Sequence, residues 1–184
     1  MTVYFDTSGK HNSDATLKAA RKRADELGIR DVIVSSTTGS TGLKACRVFK
    51  GFNLVVVRHH TGFEAPSQQQ MNPKSERQII RAGAKILTST HSLSGVERSV
   101  RVKRDTVGFV EIMADTLRTF GVGIKVCIEI MIMAADAGLI SAKRDVIAIG
   151  GTKGGVDAAV VVQPAHSNNF FDMFVREIIA KPRS

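Results

Sequence analysis

A chain of 184 residues fits one domain, able to bury about 70% of the surface its unfolded form exposes. Hydrophobic residues at 43% and charged residues at 23% exclude a disordered chain, and only two cysteines argue against a disulfide-stapled fold. The net charge of +9 admits nucleic acid as a partner, but with no Trp and one Tyr the usual stacking platforms are missing.

The opening MTVYFDTSGK lacks the basic, apolar and small-residue order of a secretory signal, so a cytoplasmic location is expected. Ser13 or Asp14 is expected to cap a helix that runs to Leu27 and stops at Gly28. The densest basic run, Lys18 with Arg21, Lys22 and Arg23, lies on this helix. Arg21 faces Asp25 and Lys22 faces Glu26 four residues on, the spacing of a solvated face.

A strand is expected at 32–36, a helix at 41–49 ended by Gly51, and a strand at 54–58. Asn72 before Pro73 reads as a cap followed by a first-turn proline, placing a helix at 74–84 ahead of a strand at 85–88. Ser94-Gly95-Val96-Glu97 has the spacing of a capping box and marks another helix start. Helices are expected at 106–120 and 123–137, closed by Gly121 and Gly138. The second alternates Ile124, Val126, Ile128, Ile130 and Ile132, so a buried strand competes with its first half. Its Lys125, Glu129 and Asp136 favour a core helix over a membrane span. Strands return at 146–149 and 158–163, and 173–181 fits either an edge strand or a short helix. Strands alternating with helices, with no linker to divide the chain, make residues 1–184 one α/β domain: a three-layer sandwich with a mainly parallel central sheet.

Five apolar strands open into Gly, Ser, Thr or His, at 35–42, 59–62, 88–95, 150–155 and 164–169. Ligands of open α/β sheets lie beyond the carboxyl ends of the strands, so these loops are expected to converge on one site. Thr37, Thr38, Gly39, Ser40 and Thr41 have the make-up of a phosphate cradle, or of a turn rich in cap residues. Walker A spacing is absent. Thr152, Lys153 and Gly154, among the glycines of 150–155, would wrap an anion from the other side or form a hairpin connection. Ser94 and Gly95 open a third anion-friendly helix start, with Arg98 one turn inside it.

His59, His60, Thr61, His91 and His166 fall at strand ends, and His91 or His60 would be the residue to move a proton if a reaction occurs. No metal-ligand spacing joins them, so no metal site is expected. Glu111 and Glu129 would make an acid and base pair, although a carboxylate paired with Lys125 is the preferred account. Phe63 and Met71 would lid a flat ligand or simply pack. Cys46 and Cys127 read as small buried thiols.

Taken together, the chain resembles the stand-alone proteins similar to the C-terminal α/β domain of pyruvate kinase. The resemblance rests on Tyr4-Phe5, Ser36-Thr37-Thr38-Gly39-Ser40-Thr41, His59-His60-Thr61-Gly62-Phe63, and Thr90-His91-Ser92-Leu93-Ser94-Gly95-Val96-Glu97-Arg98. It continues through Met133 to Ile140, Ile147 to Thr152 and Ser167 to Asp172. In pyruvate kinase the equivalent domain is regulatory and holds effector phosphates, a role that would fall here on 37–41 and 152–155; that second loop carries no arginine. The barrel that performs phosphotransfer has no counterpart, so pyruvate kinase activity is not expected. Within the stand-alone family the resemblance implies flavin mononucleotide (FMN), its phosphate in the cradle and its ring near His59, Phe63 and His91.

The leading expectation is therefore a binder of a phosphate-bearing small molecule, FMN foremost, with a homo-oligomer left open and no membrane partner. The alternatives are an enzyme acting on a flavin or sugar phosphate through its pocket histidines, and, last, a basic nucleic-acid-binding module.

Overall fold

A computed structural model describes residues 2–152 and 154–183. Its strands are β1 (Val3–Phe5), β2 (Asp31–Ser35), β3 (Asn53–Arg58), β4 (Lys85–Thr88), β5 (Val146–Gly150), β6 (Ala158–Gln163) and β7 (Phe174–Pro182). They form one sheet in the order β1-β7-β6-β5-β2-β3-β4. Every neighbouring pair is parallel except β5 with β6 and β6 with β7, so β6 alone runs against the rest.

Alternation along the strands sends side chains to two cores. Val32, Val34, Ile147 and Ile149 pack beneath α1 (Ser13–Leu27), α2 (Ser40–Val48) and α3 (Pro73–Arg81), where Leu17, Phe49 and Ile79 are buried. On the opposite face Ile33, Val55, Ala148 and Val160 meet α5 (Phe109–Arg118) and α6 (Val122–Asp136). The result is the three-layer α/β sandwich that the sequence predicts. Outside it, α4 (Gly95–Arg104) lies beside α5 and buries no side chain. The competing strand at 123–137 is not formed, because α6 sinks twelve of its fifteen residues and only a helix satisfies its own backbone when buried all round.

The polarity of β6 corrects one expectation. The loops after β2, β3, β4 and β5 leave one rim, but 164–169 leaves the opposite rim, and His166 there sits 3.4 Å from Asp136 at the far end of α6. The fifth loop at the shared rim follows β1, a three-residue strand that the sequence reading passes over. Residues 173–181 likewise form neither an edge strand nor a helix: β7 lies between β1 and β6.

Local capping also differs in two places. Asn72 caps α3 as expected, its Oδ1 accepting from the Lys74 amide at 2.8 Å. Ser13 caps nothing; its hydroxyl donates to the Lys10 carbonyl at 2.7 Å and accepts from the Val156 amide at 3.0 Å. The capping box at Ser94 is not closed either, because Glu97 Oε2 accepts from the Glu111 amide at 2.8 Å and so caps the next helix. That next helix begins at Phe109 instead of 106, since Asp105 is left-handed (φ 49°) and Gly108 is extended. The expected helix at 74–84 stops at Arg81, and Gly83, at φ 84°, turns the chain into β4.

Candidate functional site

At the shared rim the exits of β1, β2, β3 and β5 enclose a cavity of about 560 Å³. The loop after β2 brings Thr37, Thr38, Ser40 and Thr41 to it, and the β5–β6 connection brings Gly151, Thr152, Gly154 and Gly155. His59 enters from the end of β3. Lys10, Ser13 and Lys44 add hydroxyl and ammonium groups that the sequence reading misses, and Val122 and Val126 of α6 supply an apolar wall. Lys44 carried a signal, lying four residues beyond Ser40 on one helical face. Lys10 carried none, because only the pairing of β1 with β7 delivers it.

The start of α2 is built for close approach. Ser36 Oγ accepts from the Gly42 amide at 3.0 Å, while Ser40 and Thr41, first in the helix, have amides with no intrahelical acceptor. Gly39 itself is buried under the loop at φ 98°, and a Cβ there would lie 2.5 Å from Ser75 Cβ on α3. Its conformation supports the cradle, and a side chain would strain backbone and packing together. Lys44 lies 2.8 Å from Asp14 and, through that hydrogen bond, holds the Asp14 carboxyl below its ordinary range.

Across the cavity the hairpin expectation for 150–155 holds: the segment joins antiparallel strands. It also forms a wall of the cavity. Gly155, at φ 90°, passes so close to the loop after β1 that a Cβ would meet Lys10 Cα at 2.7 Å. Gly9 donates to Asp157 Oδ2 at 2.9 Å, which ties the loop after β1 to the end of the hairpin. Lys153 lies outside the described residues.

The remaining candidates lie in an adjoining pocket of about 200 Å³, which shares His59 with the first. Phe63, His91, Ser94 and Arg98 line it together with Arg101, Glu111, Arg118, Lys125 and Glu129. The ring slot expected at His59, Phe63 and His91 is thus split: His59 borders both spaces, but Phe63 and His91 do not reach the first. These three rings and His60 are mutually packed, with His59 and Phe63 centroids 4.1 Å apart and His60 and His91 5.4 Å apart. Thr61 lines neither space, and Gly95 borders a separate hollow beside α5. Met71 is 2% exposed within the core, so it packs and does not lid.

Burial drives the His91 pKa down to about 4; Glu129 opposes this, while His59, His60 and Lys125 add to it. The imidazole is therefore neutral at pH 7, able to accept a proton but not to donate one as an imidazolium. Unfolded, the same group titrates near its ordinary 6.5, so between that value and about 4 the unfolded chain binds the extra proton and stability falls as pH falls. Acidification from pH 7 to 4 is expected to cost through His91 about 1 to 2 kcal/mol, after its partial solvent contact is allowed for, or about 4 °C in Tm. His91→Gln should flatten that part of the Tm profile, and an unchanged profile would show that His91 does not titrate this way.

The two carboxylates of the expected acid and base pair are both engaged. Glu129 Oε1 lies 2.7 Å from Lys125 Nζ and accepts from the Leu93 amide, and Glu111 is shared by Arg101 and Arg118 at 3.2 and 3.6 Å. Cys127 is buried and burial pushes its thiol far up, while Cys46 is half-buried. Among the described residues no cluster of His, Cys, Asp or Glu is placed to hold a metal ion, and no helix is long and apolar enough to cross a membrane. The family model for the pyruvate kinase alpha/beta domain matches residues 14–162, which takes in both pockets except for Lys10 and Ser13.

Proposed function

The chain belongs to the family of the pyruvate kinase α/β domain, and from that premise we propose that it binds a phosphate-bearing small molecule at the carboxyl edge of its sheet. One observation carries the reading: the start of α2, Lys10, Lys44 and the glycine hairpin border a single cavity of about 560 Å³. Free helical amides, hydroxyls and ammonium groups are the donors that a phosphate requires, each charge-assisted contact contributing about 1.5 to 3 kcal/mol. Thr38, Ser40 and Thr41 hold the anion, with Lys10 and Lys44 neutralising it.

We propose FMN as the occupant. The cavity volume lies within the range of about 300 to 1,000 Å³ typical of small-ligand sites. It has a polar end for one phosphate and an apolar wall, Val122 and Val126, for a flat ring beside His59. When bound, a flavin supplies redox chemistry; this chain's residues bind the phosphate, orient the ring and keep water from one of its faces.

Ser40→Asp tests the reading without disturbing the fold. Ser40 is exposed at the first position of α2, where a carboxylate is favoured by about 0.3 to 1 kcal/mol. The same carboxylate repels a bound phosphate, so affinity for FMN, read by flavin fluorescence, should fall about 100-fold while Tm holds or rises. Unchanged affinity would remove the cradle assignment. If the wild-type protein leaves flavin fluorescence unaltered but retains in dialysis an inorganic phosphate that Ser40→Asp loses, the flavin is wrong and the phosphate site stands.

A further inference from the structure

We infer that the smaller pocket, between the β4–α4 loop, α5 and α6, is a second oxyanion site that takes a carboxylate or phosphate group independently of the cradle's occupant. Its floor is the Lys125–Glu129 pair, whose side chains are 8% and 7% exposed. Removing an ammonium from water is tolerated only where its hydrogens are satisfied, and a lysine has three. Among the described residues Glu129 is the one ion-pair partner of Lys125, so donors of a buried cation remain open to the pocket that it lines.

The walls repeat that surplus. Arg101 and Arg118 share the single carboxylate of Glu111, and Arg118 also reaches Asp115 on the outer surface of α5. Arg98 lies over the Phe63 ring at 5.1 Å, and among the described residues no carboxylate lies within ion-pair distance of it. Four cations thus face two carboxylates in the pocket, and one positive charge remains in excess even when Asp115 is counted. Planar guanidinium groups around an open pocket match the two-oxygen edge of a carboxylate or phosphate. At about 200 Å³ the pocket holds one such group and no nucleotide.

Equilibrium dialysis of the whole chain with radiolabelled inorganic phosphate at low ionic strength tests this. Two phosphates per chain are expected. Ser40→Asp should remove one and leave the other, and Arg98→Ala should weaken the survivor about tenfold, the loss of one charge-assisted contact. Lys103→Ala, a basic position of α4 outside the pocket, should change neither. Acetate at constant ionic strength should displace the survivor if carboxylates share the site, while resistance to acetate assigns it to phosphate. A single phosphate per chain that disappears with Ser40→Asp would overturn the inference, as would an unchanged survivor in Arg98→Ala or equal weakening by Lys103→Ala. Failure of the cradle reading looks different: wild type and Ser40→Asp would then each bind a single phosphate, which Arg98→Ala weakens.

Discussion

Replacing Gly150 with valine should leave almost no folded protein. Gly150 ends β5 where α6 crosses it, and a Cβ there would lie 2.5 Å from the Gly123 carbonyl oxygen, 2.9 Å from the Cys127 amide nitrogen and 3.0 Å from Val126 Cβ. Two of those atoms belong to the helix backbone, so no rotamer change relieves the clash, and the whole of α6 must lift from the sheet. Because α6 contributes nine of the twenty-one described residues buried in one core, the cost should reach about 4 kcal/mol or more, a large part of the 5 to 15 kcal/mol that holds a domain together. Urea unfolding of any soluble fraction measures it. A valine variant with a wild-type midpoint would show that α6 and β5 do not approach this closely.

The second large effect belongs to the buried ion pair. Lys125→Met removes the cation and leaves Glu129 charged in a site that is 7% exposed, with only the Leu93 amide among the described residues to support it. Breaking a buried pair from one side costs about 3 to 5 kcal/mol, whereas replacing both charges often costs little. The double variant Lys125→Met with Glu129→Gln should therefore recover most of the loss, since the glutamine oxygen still accepts from Leu93. Unfolding free energies of the two variants and the wild type decide the matter: a single variant as stable as the parent would mean that water reaches the pair.

The helices and strands were legible where periodicity and punctuation agree: Gly28 after α1, Asn72-Pro73 before α3, and the Val and Ile runs of β2, β3 and β5. The reversal of β6 was legible too, through length. Seven residues separate Gly150 from Ala158, too few for the dozen or so that a parallel crossover needs, so the connection had to be a hairpin and the loop after β6 had to leave the other rim. What could not be read was which distant group completes a local motif. Ser94 and Glu97 have capping-box spacing, yet Glu97 serves α5. Ser13 looks like a cap, yet it is spent on Val156. Tertiary partners outbid neighbours in both cases, and one-dimensional spacing carries no record of them. The cradle residues were visible because hydroxyls and glycine cluster in sequence, and Lys10 was not because the sheet, not the loop, brings it there.

The two hydrogen bonds that stitch the beginning of the chain to the hairpin, Gly9 to Asp157 and Val156 to Ser13, join groups 148 and 143 residues apart. A ribosome releases Lys10 and the α2 turn long before the glycines that face them, so during synthesis half of the cavity wall exists with nothing opposite it. The site closes only when β6 has turned back along β5. An anion of the kind proposed would meet a finished protein: it would stabilise completed folding by mass action, but it would not guide the earlier steps.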